Sequence, residues 1–284
     1  MNQLFSEHFR RNADSRDSWK CFSEHRQRVT ELLLSLESPS YERLCILGAG
    51  NCNDIDLRQL LQKYHEIHLV DIDETALLSG IQMQCGKMPG NITLHTGIDL
   101  TGIGQPLEAW KAGLSGGEAA FQELLSQAAV APFDQLPKDC NVVASIGLLT
   151  QLFDCGVLSL GPSHERLAEL LVCLRHRHLC LLAETLCSGG TAALVTDFVA
   201  STTLPDLPKI AAEQLASYLS AAIAAGNFFT GANPQAIHAT LLHDAKLAPL
   251  FEQIRIHPPW RWNFGPRVYA VCAVEARRSS TPVA

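Results

Sequence analysis

Three residues carry the first chemical signal. Gly48 and Gly50 close the apolar run Leu44 to Leu47, and Asp71 closes the next apolar run, 66–71. Glycine turns where a Cβ would collide, so a ligand can lie against the backbone there. A carboxylate at the end of the neighbouring strand can accept both hydroxyls of a ribose. Between them, a helix starting near Asn53 or Asp54 would aim free N–H groups at the same place. The spacing points to a nucleotide-like ligand at the carboxyl edge of a parallel sheet.

A dinucleotide site wants G-x-G-x-x-G, and Asn53 stands at the third glycine position. Asp54 and Asp56 in the first helical turn would repel a pyrophosphate. They suit a ligand that carries an ammonium group. S-adenosylmethionine has an amino group, a sulfonium and a ribose, and no phosphate. The stretch "LCILGAGNCNDIDL" resembles the glycine-rich first motif of class I S-adenosylmethionine-dependent methyltransferases, and "HLVDID" their second. "HTGIDLTG" (95–102) resembles the third, and "CNVVASIGLLTQL" (140–152) the fourth. The resemblance covers 40–200 and 250–277.

The resemblance implies roles for named residues. Gly48 and Gly50 would approach the methionine and ribose portions, with Ala49, Asn51 and Asp54 in the same loop. Asp71 would hold the ribose and Ile72 would flank the adenine. Asp99 would bind the adenine edge, with Ile98 or Leu100 against its face, and Ser145 would sit near the methionine. Two departures stand out: Cys52 replaces the family's usual third Gly, and the Asn-Pro-Pro-Tyr signature of amino-directed DNA methyltransferases is absent. Ser145-Ile146-Gly147-Leu148 stands there instead, so methylation of a nucleobase amine is not expected. Each residue also has a structural reading: a plain strand-to-helix turn at the glycines, a solvent-facing strand end at Asp71, a turn or cap at Asp99 and Asp54, and a buried hydroxyl at Ser145.

Methyl transfer is an in-line displacement at a sulfonium, so the protein must align the acceptor and, for some acceptors, remove a proton. Candidate bases are Asp197, His238, His243 and His257. Candidate walls for the acceptor are Gln151, Phe228, Trp260 and Trp262. Alternation in Trp260-Arg261-Trp262 puts both indoles on one strand face, which suits core packing as well as stacking on a ligand. Three functions compete: a methyltransferase acting on a small molecule, a non-catalytic binding protein of the same fold, and a nicotinamide-dependent oxidoreductase.

The elements that must position these residues follow from periodicity. Apolar runs at 43–48, 66–72, 92–100, 140–152 and 191–199 alternate with helical patterns at 54–64, 74–86 and 164–186, with two more helical runs inside 101–139. The tail, 251–262 and 267–277, reads as an antiparallel hairpin. The expected fold is α/β: a doubly wound, mostly parallel seven-stranded sheet with a reversed C-terminal strand and helices on both faces. A single domain over 1–284 is expected, with a helical extension at 1–40 (helix at 16–37). A helical insertion at 201–250, with helices at 209–226 and 234–247, is expected to cover the acceptor pocket.

Composition narrows the partners. Net charge is −7 with 47% hydrophobic residues, and no basic cluster exceeds Arg175-His176-Arg177-His178. Nucleic-acid binding needs clustered Lys and Arg, so no nucleic acid is expected. No apolar run is long enough to span a membrane and no signal peptide is evident, so a cytoplasmic protein with no membrane partner and reduced cysteines is expected. Cys173, Cys180 and Cys187 are spaced by seven around His176 and His178, without the short spacings of a zinc site, so no metal is expected.

Overall fold

The computed structural model describes residues 3–280; residues 1–2 and 281–284 of the expected 1–284 domain lie outside the described residues. The first half of the chain runs α1 (Gln3–Ser15), α2 (Ser23–Ser35), β1 (Arg43–Leu47), α3 (Leu57–Lys63), β2 (Glu66–Asp71), α4 (Glu74–Cys85), β3 (Ile92–Thr96), α5 (Gly104–Lys111), α6 (Gly117–Val130) and β4 (Cys140–Ile146). It continues with α7 (Leu149–Leu160), α8 (Leu167–Thr185), β5 (Leu186–Ala200), α9 (Leu215–Ala224), α10 (Pro234–His243), β6 (Phe251–Ile256), β7 (Trp260–Asn263) and β8 (Val268–Arg278).

Strands β1, β2 and β4 are buried along nearly their whole length. That is what a parallel sheet covered on both faces requires. The strand order is β3-β2-β1-β4-β5-β8-β6. Strands β1 to β5 pair in parallel, and β8 is antiparallel to both β5 and β6. β7 extends the β6 edge along β8 after the chain breaks at Pro258-Pro259, where proline cannot donate to the ladder. The sheet is therefore seven strands wide with one reversed strand inserted next to last, as the resemblance implied.

Alternation along the strands builds two cores. Cys45, Leu47 and Val143 face α5 to α8, while Leu44, Ile46 and Val142 face α2, α3 and α4. Short polar side chains set the helix starts. Asp73 accepts from the Ala76 N–H and Asp56 from the Gln59 N–H, satisfying amide donors that the helix leaves free.

Several expected boundaries move. The helix read from 54 begins at Leu57, and its entry is tied down elsewhere, as described below. The segment 140–152 splits at Gly147, whose φ of +60° turns β4 into α7. β5 starts at Leu186, through the Ser188-Gly189-Gly190 stretch, with a bulge. The expected 209–226 helix is broken by two 3-10 turns and survives as α9. No long helix covers 16–37; α2 occupies 23–35, preceded by α1.

Candidate functional site

The strand β1 ends on two glycines with left-handed backbones, Gly48 at φ +73° and Gly50 at φ +47°. A Cβ on Gly48 would sit 2.9 Å from Leu148 Cβ, so the turn closes against the start of α7 only because that atom is missing. The Gly48 and Ala49 N–H groups both donate to the Val70 carbonyl, at 2.9 and 3.1 Å. The turn is thus fastened to the end of β2, where Asp71 sits.

Asp71 is buried, with one oxygen accepting from the Gly50 N–H (2.8 Å) and the other from the Asp73 N–H (2.9 Å). Burial, with the nearby Asp73 charge, pushes its carboxyl up to about 6, against the pull of the backbone N–H groups of Asp73, Gly50 and Ile72. Each oxygen keeps acceptor capacity for one more donor. Asp99, in the loop after β3, accepts from Thr101 N–H (2.8 Å), Thr101 O–H (2.6 Å) and Gly104 N–H (2.7 Å). It fixes the loop that leads into α5.

Gly48, Asp71, Ile72, Ile98, Asp99, Leu100 and Gln151 converge on one cavity. Its remaining walls are Thr101, Leu148, Leu152 and Cys155, and three residues of α1: Phe5, His8 and Asn12. Those three are functional candidates that the sequence reading missed. The available signal was the polar and apolar spacing of Leu4, His8, Asn12 and Ser15 on one helix face. Helix α1 is held by polar contacts. Asn12 Nδ2 donates to Asp73 (3.1 Å), Asn51 Nδ2 donates back to the Asn12 carbonyl (2.6 Å), and Arg11 pairs with Asp154. His8 Nδ1 meets Gln151 Oε1 at 3.2 Å, and Nε2 meets Cys155 Sγ at 3.1 Å. Gln151 donates its amide N–H to the Gly147 carbonyl (3.1 Å), so its oxygen faces His8. That fixes the proton on His8 Nδ1. Burial lowers the His8 pKa, which keeps the ring neutral.

The other expected cofactor residues lie off the cavity. Ala49 packs into the core and Gly50 sits behind Asn12. Asn51 is tied to α1, and Asn53 donates to the Ser15 carbonyl (2.7 Å). Asp54 does not open a helix; it turns to His25, 3.3 Å away. Gln84 of α4 binds the carbonyls of Cys52 and Ile55 and accepts from the Leu57 N–H. These bonds hold 51–57 as a loop and delay α3. Ser145 faces α8, where its hydroxyl meets His178 Nε2 at 2.8 Å. Burial and the adjacent Arg177 push that imidazole down to about 4. Ser145 is a buried structural hydroxyl, on the strand face opposite Ala144 and Ile146.

The expected acceptor walls and bases are also elsewhere, apart from Gln151. Trp260 donates its indole N–H to His25 (3.0 Å), and Trp262 stacks on His25 at 4.5 Å and meets Phe22 edge-on. The pair joins β7 to α2. Phe228 packs against the main core. His243 is exposed on α10, and His257 bonds Glu275 at 2.7 Å on the outer strands. No residue of 201–250 lines the cavity: α10 packs on β6 and β8, and Arg175 of α8 binds the Gly231 carbonyl. Helix α1 stands where a cover was expected from the insertion.

Asp197 is buried in β5, accepts from the Thr150 hydroxyl (2.7 Å) and does not line the cavity. Burial pushes its carboxyl up to about 6. Its folded pKa exceeds the unfolded one, so the protonated form stabilises the fold at low pH and that contribution disappears as pH rises towards 6. Asp197→Asn keeps the Thr150 acceptor and removes the buried charge. It should raise Tm by about 5 °C at pH 8, with the gain shrinking between pH 6 and 4. Thermal unfolding across that range checks it, and a pH-independent gain would exclude ionisation as the cause.

Among the described residues, no group of three or more His, Cys, Asp or Glu could hold a metal ion, and no helix is long and apolar enough to cross a membrane. All ten cysteines are free thiols.

No protein-family model matches the chain, and no curated protein matches it. Among solved structures, the N-methyltransferase NodS from Bradyrhizobium japonicum WM9 is similar over 93% of this chain and 99% of its own, at 10% identity and a TM-score of 0.45. The same protein in complex with S-adenosyl-l-homocysteine is similar over 89% of this chain and 86% of its own, at 11% identity and a TM-score of 0.43. A SAM-dependent methyltransferase from Methanosarcina mazei covers 88% of this chain and 98% of its own, at 12% identity and a TM-score of 0.47.

Proposed function

We propose that the chain binds S-adenosylmethionine in the cavity between α1 and the carboxyl ends of β1, β2 and β4, and transfers its methyl group to a small-molecule acceptor. The observation that carries this reading is the charge of the lining. Two carboxylates, Asp71 and Asp99, face the cavity, and no Lys or Arg does. A ligand with a ribose and a positive charge fits such a lining, and a pyrophosphate does not. Asp71 has two acceptor positions left for a diol. Ile72, Ile98 and Leu100 offer the apolar contact that an adenine needs. The reversed β8 beside β5 also departs from the all-parallel dinucleotide-binding sheet. The net charge of −7 favours a small acceptor over nucleic acid.

Isothermal titration with S-adenosylmethionine, S-adenosylhomocysteine and NADH tests the cofactor. Both sulfur ligands should bind with micromolar affinity and NADH should not. Binding of NADH alone would replace this reading with a nicotinamide one.

A second reading has an observation behind it. The candidate bases Asp197, His243 and His257 all lie off the cavity, and both ring nitrogens of His8 are engaged. A binding protein without turnover would look like this. So would an enzyme whose acceptor is already nucleophilic and needs only positioning. Turnover with a panel of thiol, amine and hydroxyl acceptors separates the two.

A further inference from the structure

We propose that the Phe5 ring is a door between the cofactor cavity and a surface vestibule, and that the cofactor enters through that vestibule; this rests on the cofactor reading above. The cavity beside Asp71 measures about 40 Å³. Ligand pockets run from roughly 300 Å³ upward, so no nucleoside fits while the Phe5 ring stands as found. A solvent-open cleft of about 650 Å³ lies next to it.

The two spaces share two walls, Phe5 and Asp99. Asp99 is pinned by three hydrogen bonds in its own loop, so the part of the partition free to move is the ring. The tip of the Phe5 ring packs against Gly104, where a Cβ would come within 2.4 Å of Phe5 Cζ. The ring is therefore seated on a backbone spot that any other residue would block. Leu4, wholly buried, anchors the start of α1 in the core. A change of the Phe5 rotamer, rather than displacement of the helix, joins the two spaces into one of nucleoside size. Such side-chain motion is fast on the scale of ligand exchange.

The vestibule suits a nucleoside in transit. Ile103, Pro106, Ala131 and Pro132 give it apolar sides, and Gln105 and Gln127 supply amides. Val130, at its rim, is 74% exposed. A larger side chain there would obstruct the cleft without entering the core.

The test is surface plasmon resonance on the full chain with S-adenosylhomocysteine. Phe5→Ala should raise the association rate about tenfold, because the binding-competent open state is then the whole population rather than a minor fraction of it. Val130→Trp should slow association and dissociation together by a similar factor, leaving Kd unchanged. Wild-type rates in both variants would overturn the door while leaving the cofactor reading intact. Absence of binding in wild type and in Phe5→Ala would overturn both.

Discussion

Asp71→Ala should weaken binding of S-adenosylmethionine and S-adenosylhomocysteine by at least about 100-fold. Two ribose hydroxyls donating to one buried carboxylate are each worth roughly 1.5–3 kcal/mol, and 1.4 kcal/mol is a tenfold change in affinity. The same carboxylate also holds the Gly50 and Asp73 N–H groups, so the variant loosens the glycine turn as well. Asp71→Asn separates the effects: it keeps the shape and one acceptor. It should bind more weakly than wild type and more tightly than the Ala variant. Burial holds the carboxyl at about 6, and hydroxyl donors prefer its ionised form. Affinity should therefore be flat above pH 7 and fall about tenfold per pH unit below 6. Titration calorimetry over pH 5–8 checks both. Equal affinity in wild type and Asp71→Ala would remove the ribose assignment.

Gly80→Ala should destabilise the fold by about 2–3 kcal/mol, lowering Tm by about 5–10 °C. Gly80 lies inside α4, where Ala is the better helix former by about 1 kcal/mol. Propensity alone therefore predicts the opposite sign. Packing decides against it. An added Cβ would lie 2.3 Å from the Asn51 carbonyl oxygen, 2.6 Å from its carbon and 3.1 Å from Cys52 Cβ. Those are mostly backbone atoms of the glycine loop, already fixed by Gln84, Asn12 and Ser15. The clash must push the loop towards α1, so the affinity for S-adenosylhomocysteine should fall along with Tm. Leu78→Ala, exposed on the same helix, is the control and should change Tm by little. A wild-type Tm in Gly80→Ala would mean that α4 can back away from the loop.

What was legible in the sequence was local. Apolar runs ending in Gly48 or Asp71 fix strands, a glycine turn and a carboxylate, because these follow from side-chain alternation and backbone sterics. Gly48 and Asp71 were visible for that reason, while Asp99 was marked only by the resemblance of 95–102 to a family motif. What the sequence hid depends on contacts far apart in the chain. Asp54 reads as a helix-opening acid, yet Gln84, thirty residues away, takes up the loop's amide and carbonyl groups and leaves the helix to begin at Leu57. Ser145 follows the expected strand period, but that period turns it towards His178, whose position depends on how α8 packs. The indoles of Trp260 and Trp262 alternate as expected, and the partner that occupies their face, α2, could be known only from the fold. The cover over the cavity was sought in 201–250 because that segment follows β5; α1 comes from the other end of the chain.

The place of β8 has a consequence for how the molecule is made. This strand joins β5 to β6 and β7, and it is the last of the eight to be synthesised. Until residues 268–278 have left the ribosome, β5 is a long, nearly all-buried strand with one bare edge. About 70 residues separate its end from the start of β8, several seconds of translation at roughly 5–20 residues per second. During that interval the nascent chain carries an open template for strand pairing with a neighbour. Helix α10, made in the meantime, packs on β6 and β8 and has its full docking surface only once that strand arrives. Sheet closure and the seating of α10 are thus one late event, and the five parallel strands that carry the cavity can be in place before it.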